Sequence, residues 1–258
     1  MHDDDSADDK AIPTNLRLLF LLEELAQVGV PTTPTAANEV LGLPKPTIHR
    51  LFHTLENEGF LQRDIDGRSY APGARLRRLA GSVLSTSRIR MVRQTILNAL
   101  AEDVGETCNI AMPERHTMIY LDRVETKWPL RIQLPIGTEV PFHCTASGKM
   151  YLSSLKPRLF NKYLSIASLE AQTEHTLIDP KAFKAEIEVI RERGYATDNE
   201  EFMEGMVAVA VPLLDAQSRL MSTLSIHAPT QRVTLDDLKQ HLPRLQSAAV
   251  ELAELVMH

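Results

Sequence analysis

Hydrophobic residues recur at a helical period across residues 42–59. Ile48, Leu51, Phe52 and Leu55 fall at i, i+3, i+4 and i+7, which predicts a helix with one buried face. The opposite face carries Lys45, Thr47, His49, Arg50, His53 and Thr54, with no carboxylate before Glu56. Pro46 suits only a first helical turn, where its missing N–H costs nothing, and Gly59 supplies the stop. Ahead of it, Thr14 is placed to cap a helix running to about Gln27, with Leu18, Leu22, Leu25 and Ala26 as its stripe. Gly29 and Pro31 end that helix, and Thr35 to Leu41 reads as a small, weakly apolar helix closed by Gly42. Behind it, Phe60–Arg63 and Arg68–Ala71 read as two short strands about Asp64-Ile65-Asp66-Gly67, a hairpin-turn signal.

Helix, tight turn, helix and hairpin is the order of a winged helix-turn-helix. A short helix with cationic and hydroxyl side chains near its N-terminus fits the DNA major groove. Lys45, Pro46, Thr47, His49, Arg50 and His53 are the candidate DNA-facing residues, with Arg68 on the wing. A solvated cationic helix face is the plainer alternative, but the turn and the wing stand where DNA binding needs them.

After Pro72-Gly73 the pattern changes. From Ala74 to Ser87, Leu76, Leu79, Ala80, Val83 and Leu84 alternate with Arg75, Arg77 and Arg78. This predicts either an interdomain helix that pairs two subunits or an ordinary surface helix. A helix over Met91–Val104 stops at Gly105. Strands are expected over Thr107–Met112, Met118–Arg123, Leu130–Leu134, Tyr195–Thr197, Val207–Leu214 and Leu220–Ala228. Helices are expected over Ala146 to about Leu155, Pro157–Leu164, Pro180–Arg193 and Leu235–Met257, the last kinked at Pro243. The boundaries that follow are an acidic, disordered tail over 1–13, a winged helix over 14–73, a linker helix over 74–89 and a second domain over 90–258. That second domain is an α/β sheet with helices packed on it.

Charge sharpens the division. The net charge of -6 over 258 residues looks unsuited to DNA. Residues 14–90, however, hold ten Lys/Arg against seven Asp/Glu, while the tail and the C-terminal segment are both acidic. A phosphate-binding face needs local rather than global positive charge. No apolar run reaches a membrane span and no signal-peptide pattern opens the chain. The expectation is a cytoplasmic protein with no membrane partner. Cys108 and Cys144 are then expected as reduced thiols.

Three constellations could carry chemistry. Thr145-Ala146-Ser147-Gly148-Lys149 reads as a capped helix start whose first N–H groups are open to an anion. It lacks the upstream glycines of a phosphate loop, which argues against nucleotide binding. Tyr195 to Glu201 sets three acids after a strand. Ser225 and His227 lie two apart on an apolar strand and so share one face, lining a cavity or satisfied in the core. No nucleophile–base signature, zinc-ligand spacing or dinucleotide motif is present, so neither an enzyme nor a cofactor or metal is expected.

The chain beyond its tail resembles the IclR family of bacterial transcriptional regulators. The resemblance rests on Leu41-Gly42-Leu43-Pro44-Lys45 and Thr47–Leu51, on Gly105-Glu106-Thr107, Tyr120–Glu125 and Pro129-Leu130-Arg131, and on His143–Lys149. Gly194-Tyr195, Asp198–Glu201, Ser225 and Pro229 complete it. It implies a winged helix plus an effector domain with a GAF/profilin-like antiparallel sheet, acting as a dimer or dimer of dimers on a palindromic double-stranded operator. It also implies an effector pocket at Val140, Ala146, Ser147, Asp198, Met206, Ala208, Ser225 and His227. Ala208 stands where some members have Cys, His227 where some have Ser, and Pro46 where Ser is usual. The departures at Ala208 and His227 keep ligand identity from being carried over; the open helix start after Thr145, the small Ala146 and Ser147 and the Ser225/His227 pair point instead to a small organic acid, aromatic or hydroxylated. His227, ordinarily titrating near neutrality, is expected to act as donor or cation. Asp198 would repel a simple acid and favour a hydroxyl. The alternative from another class is a small-molecule-binding or catalytic protein whose helix-turn-helix serves only protein packing.

Overall fold

A computed structural model describes residues 12–64, 66–84, 87–114, 116–129 and 134–257. It divides into two units, Met1–Thr86 and Ser87–His258. Residues 1–11 of the expected tail and 130–133 of the expected Leu130–Leu134 strand lie outside the described residues.

The first unit runs α1 (Arg17–Val28), α2 (Pro34–Leu41), α3 (Lys45–Asn57), β1 (Leu61–Arg63), β2 (Tyr70–Pro72) and α4 (Ala74–Leu84). Leu21, Leu25, Ala37, Ile48, Phe52, Leu55, Leu61 and Tyr70 form its core, with Phe52 edge-on to Tyr70 at 5.0 Å. Two details of α1 differ from expectation. Its N-cap is Leu16, whose side chain has no acceptor with which to cap, and the Leu16 N–H that a capping Thr14 would hold bonds the Pro13 carbonyl in a preceding turn. Its buried face is Leu21 and Leu25, with Leu18 and Leu22 at the margin and Ala26 exposed. Four leucines on adjoining rows make the stripe broad, and periodicity alone misplaces its centre. Thr33 caps α2 by accepting from Ala36 N at 3.2 Å, with Pro34 in the first turn. Gly42, at φ 60°, makes the tight turn into α3.

The second unit runs α5 (Ser87–Val104), β3 (Thr107–Glu114), β4 (Thr117–Val124), β5 (Glu139–Pro141), α6 (Ala146–Ser154), α7 (Pro157–Ile166), α8 (Pro180–Arg193), β6 (Ala196–Asn199), β7 (Met206–Leu214), β8 (Leu220–Pro229), α9 (Leu235–Lys239) and α10 (Leu242–Met257). The strands form one antiparallel sheet in the order β5-β4-β3-β8-β7-β6. Strand β5, three residues at the edge, is too short for alternation to reveal. The single C-terminal helix expected over Leu235–Met257 is two, and Pro243 occupies the first turn of α10 rather than kinking a continuous helix.

Alternation along the strands sorts the sheet into two unlike faces. On one, Cys108, Ile110, Val207, Val209, Val211, Leu224 and Ile226 pack against Leu97 and Leu100 of α5 and Leu245 and Leu252 of α10. On the other, Ala111, Ala196, Ala208 and Ala210 meet α6 and α8 through Met150, Leu152, Phe183 and Ile187. Branched side chains fill the first face and alanines line the second. The alanine face lies beneath α6, which crosses β3, β4, β6, β7 and β8.

Candidate functional sites

On the first unit, Ile48, Phe52 and Leu55 anchor α3 in the core and turn its other face outward. Lys45, Pro46, His49, Arg50 and His53 are exposed, Thr47 is half-buried, and Arg68 is exposed on the wing. Acidic neighbours neutralise other cations nearby. Glu56 accepts from Arg63 at 2.6 and 3.1 Å, which holds its carboxyl below the usual range, and Arg75 pairs with Glu58 at 2.7 Å. Lys45, Arg50 and Arg68 make no ion pair among the described residues. Asp66 shapes the wing by accepting from the backbone N–H of Arg68 and Ser69, each at 2.8 Å. The face thus keeps unpaired cations where a polyanion would meet them.

On the second unit, the eight pocket residues expected from the resemblance are all buried. Ala146 and Ser147 open α6. Thr145 caps it, accepting from Gly148 N at 3.0 Å, so the Ala146 and Ser147 N–H groups lack helical partners. Opposite, cross-strand register sets Asp198 beside Ala208, Ala208 beside His227, and Ser225 beside both Ala210 and Asn109. Met206 lies two residues before Ala208 on the same face, across from Pro229. Val140 reaches the margin from β5, opposite Met118.

Several polar atoms at this site are buried without a hydrogen-bond partner among the described residues. They are Ser147 Oγ, Asp198 Oδ2, His227 Nδ1, Asn109 Nδ2 and Glu201 Oε2. Each such atom costs about 1–3 kcal/mol in a closed core, a cost that ordered water or a polar ligand bonding them would relieve. Asp198 is half-satisfied: Oδ1 accepts from the Glu201 and Phe202 N–H groups at 2.8 and 3.3 Å. Burial, and then the neighbouring Glu201, raise its pKa to about 7, so near neutrality it carries a proton part of the time.

His227 corrects an expectation. Burial first, and then Arg123, lower its pKa to about 3. It is a neutral imidazole here, able to donate or accept but not to act as a cation. Its Nε2 lies 3.0 Å from Ser225 Oγ, and its ring meets Tyr120 edge-on at 6.1 Å.

Residues outside the expected set complete the site. Lys149, 1% exposed, donates to Glu201 at 2.5 Å and lies 3.9 Å from Glu186. Asn109 stands on the pocket face, and Arg123 Nη1 donates to its Oδ1 at 2.8 Å. Its signal in the sequence was faint: one amide inside the run Thr107-Cys108-Asn109-Ile110-Ala111. Only strand register reveals which face it shares. An open recess of about 430 Å³ bounded by Thr117, Phe142, His143, Tyr163 and Glu170 contains none of the eight. Burial pushes the Cys144 thiol up to about 12 and raises that of Cys108 as well, so neither is a ready nucleophile. Among the described residues, no group of His, Cys, Asp and Glu is arranged to hold a metal ion, and no helix is long and apolar enough to cross a membrane.

Comparison with known proteins agrees with this two-part layout. The IclR helix-turn-helix domain matches residues 16–64, and the bacterial transcriptional regulator IclR C-terminal domain matches residues 81–254. The chain is 37% identical over 239 residues to a Cupriavidus necator protein named Probable transcriptional regulator SauR, covering 93% of this chain and 95% of that one. The crystal structure of the Thermotoga maritima IclR protein superposes with a TM-score of 0.62 at 26% identity, covering 93% and 97% of the two chains. The inducer-binding domain of an Acinetobacter PobR double mutant, in complex with 3-hydroxybenzoic acid, superposes with a TM-score of 0.59 at 29% identity. It covers 63% of this chain and 96% of that one. These relatives are regulators rather than enzymes, and the chain belongs to the IclR family of bacterial transcriptional regulators.

Proposed function

We propose that this regulator binds a palindromic operator as a dimer or dimer of dimers and is switched by a small organic acid, a hydroxy acid above all. In this reading the winged helix spans 14–73, 74–89 links it to the rest, and 90–258 binds the effector. Lys45, Pro46, Thr47, His49, Arg50, His53 and Arg68 meet DNA. Val140, Ala146, Ser147, Asp198, Met206, Ala208, Ser225 and His227 enclose the acid.

The observation that carries it is the set of buried, unpartnered polar atoms contributed by α6, by the alanine-lined sheet and by the segment after β6. The carboxylate takes the Ala146 and Ser147 N–H groups, where helix polarity favours negative charge. Asp198, its pKa raised to about 7, can offer a proton to the ligand instead of repelling it. The PobR domain's complex with 3-hydroxybenzoic acid supports the ligand class. An acid that binds one conformational state more tightly shifts the balance between DNA-competent and incompetent forms.

Calorimetry with a panel of carboxylates tests it. Wild type should bind a member of the panel, Ser147→Leu should abolish binding by filling the helix mouth, and DNA affinity without ligand should stay intact. Tight acid binding by Ser147→Leu would remove the carboxylate from α6.

A further inference from the structure

Resting on that reading of the site, we propose that Asn109 is a specificity-determining residue that reads a hydroxyl on the effector, with Arg123 as the residue that positions it. Asn109 is fully buried on β3. Register places it directly opposite Arg123 on β4 and Ser225 on β8, so the three share the pocket face.

The amide orientation follows from its neighbour. A guanidinium only donates, so the Asn109 oxygen must face Arg123 Nη1, as the 2.8 Å bond shows. The NH2 group is thereby turned away from Arg123 as a donor, and its nitrogen is buried without a partner.

His227 supplies the complement. It is the diagonal neighbour of Asn109 across the β3–β8 pair and lies on the same face of the sheet. Ser225 Oγ lies 3.5 Å from the Asn109 main-chain carbonyl oxygen and 3.0 Å from His227 Nε2. We take the tautomer in which the serine proton goes to that main-chain carbonyl, Ser225 accepts from Nε2–H and Nδ1 presents a lone pair; the other tautomer would make Nδ1 a donor and suit a carbonyl or carboxylate oxygen instead of a hydroxyl. Nδ1 is itself buried without a partner. A donor and an acceptor on one face match a hydroxyl, which accepts from Asn109 and donates to His227. An unsubstituted acid or a methyl group satisfies neither.

The test is calorimetry with two matched pairs, 3-hydroxybenzoate against benzoate and lactate against propionate. It uses the full chain as wild type, Asn109→Ser, Asn109→Leu, Arg123→Lys and Arg123→Met. Wild type should prefer the hydroxylated member of the pair that fits by at least about tenfold. Asn109→Ser should bring that ratio to within about twofold while still binding the unsubstituted acid. Arg123→Lys, which keeps a donor to Oδ1, should retain more of the preference than Arg123→Met, a readout that loss of packing alone would not produce. Asn109→Leu serves as a second variant should Asn109→Ser lose its cooperative melt. A preference unchanged in both Asn109 variants overturns the assignment. Acid binding that depends on Ser147 but shows no hydroxyl preference in either pair overturns this inference and leaves the acid reading standing. Failure of wild type to bind any acid in the wider panel overturns both.

Discussion

Gly148 lies so close to Phe142 that a Cβ on it would overlap the Phe142 carbonyl oxygen and Cα. Backbone cannot yield as a flexible side chain can, so this contact sets how near the first turn of α6 comes to the loop before it. Gly148→Ala should cost about 1–3 kcal/mol, the range for overpacking, despite alanine's better helix propensity. Urea unfolding measures the loss, and calorimetry should show weakened acid binding, because the Ala146 and Ser147 amides move with the turn. A variant as stable as wild type would mean the loop shifts freely.

Lys149 is the buried cation facing Glu201, with Asp198 close by. Removing it strands acidic groups in the core. Lys149→Met should lose about 3–5 kcal/mol, as breaking a buried pair does. The double variant Lys149→Met/Glu201→Leu should recover most of that loss, since neither charge then needs a partner. A double variant no more stable than the single one would show that the pair acts through more than charge compensation.

Asp198 and His227 should pull stability in opposite directions with pH. The Asp198 pKa is raised from its ordinary 3.8 to about 7, so its contribution is full below 3.8 and is lost as pH rises through 7. The His227 pKa is lowered from 6.5 to about 3, so its contribution is full above 6.5 and is lost as pH falls toward 3. Between about pH 4 and 6.5 the two slopes offset each other. Asp198→Asn should therefore make stability rise with pH across that window, by up to about 1.4 kcal/mol per unit, and His227→Gln should make it fall. Parallel pH profiles for the two variants would contradict both shifts.

Arg50, unpaired on the exposed face of α3, should contribute to operator specificity. Arg50→Ala should cost about 1–3 kcal/mol against the operator and much less against random duplex. Arg68→Ala should weaken both and lower the salt slope, as a phosphate contact does. Fluorescence anisotropy across a salt series separates them, and unchanged operator affinity in Arg50→Ala would remove it from the recognition face.

Leu79 and Val83 are 52% and 54% exposed on α4, where apolar residues gain from a partner subunit. Leu79→Glu with Val83→Glu should lower the association state seen by sedimentation at micromolar concentration. A wild-type monomer under those conditions would contradict the assembly outright.

The sequence by itself determined the local events. Gly42, Pro46 and Gly59 punctuate the recognition helix, and Ile48, Phe52 and Leu55 choose its buried face through spacing alone. The Thr145 cap and the αL stop at Gly194 were legible for the same reason, since each depends on a few neighbouring residues. Events decided by competition between neighbours were not. Leu16 rather than Thr14 starts α1, and a preceding turn claims the Leu16 N–H that a capping Thr14 would hold. The C-terminal helix divides before Leu242, with Pro243 in the first turn of α10, although its apolar period continues through the break.

The site shows the same division. Ser225 and His227 share a face by parity, which sequence reveals. That Asn109 and Ser225 are opposed, and that Asp198 meets His227 across Ala208, depends on register among strands up to about 120 residues apart. Tertiary structure also decided protonation. Burial keeps His227 neutral, and burial beside Glu201 lets Asp198 hold a proton near neutrality, because desolvation penalises whichever form is charged.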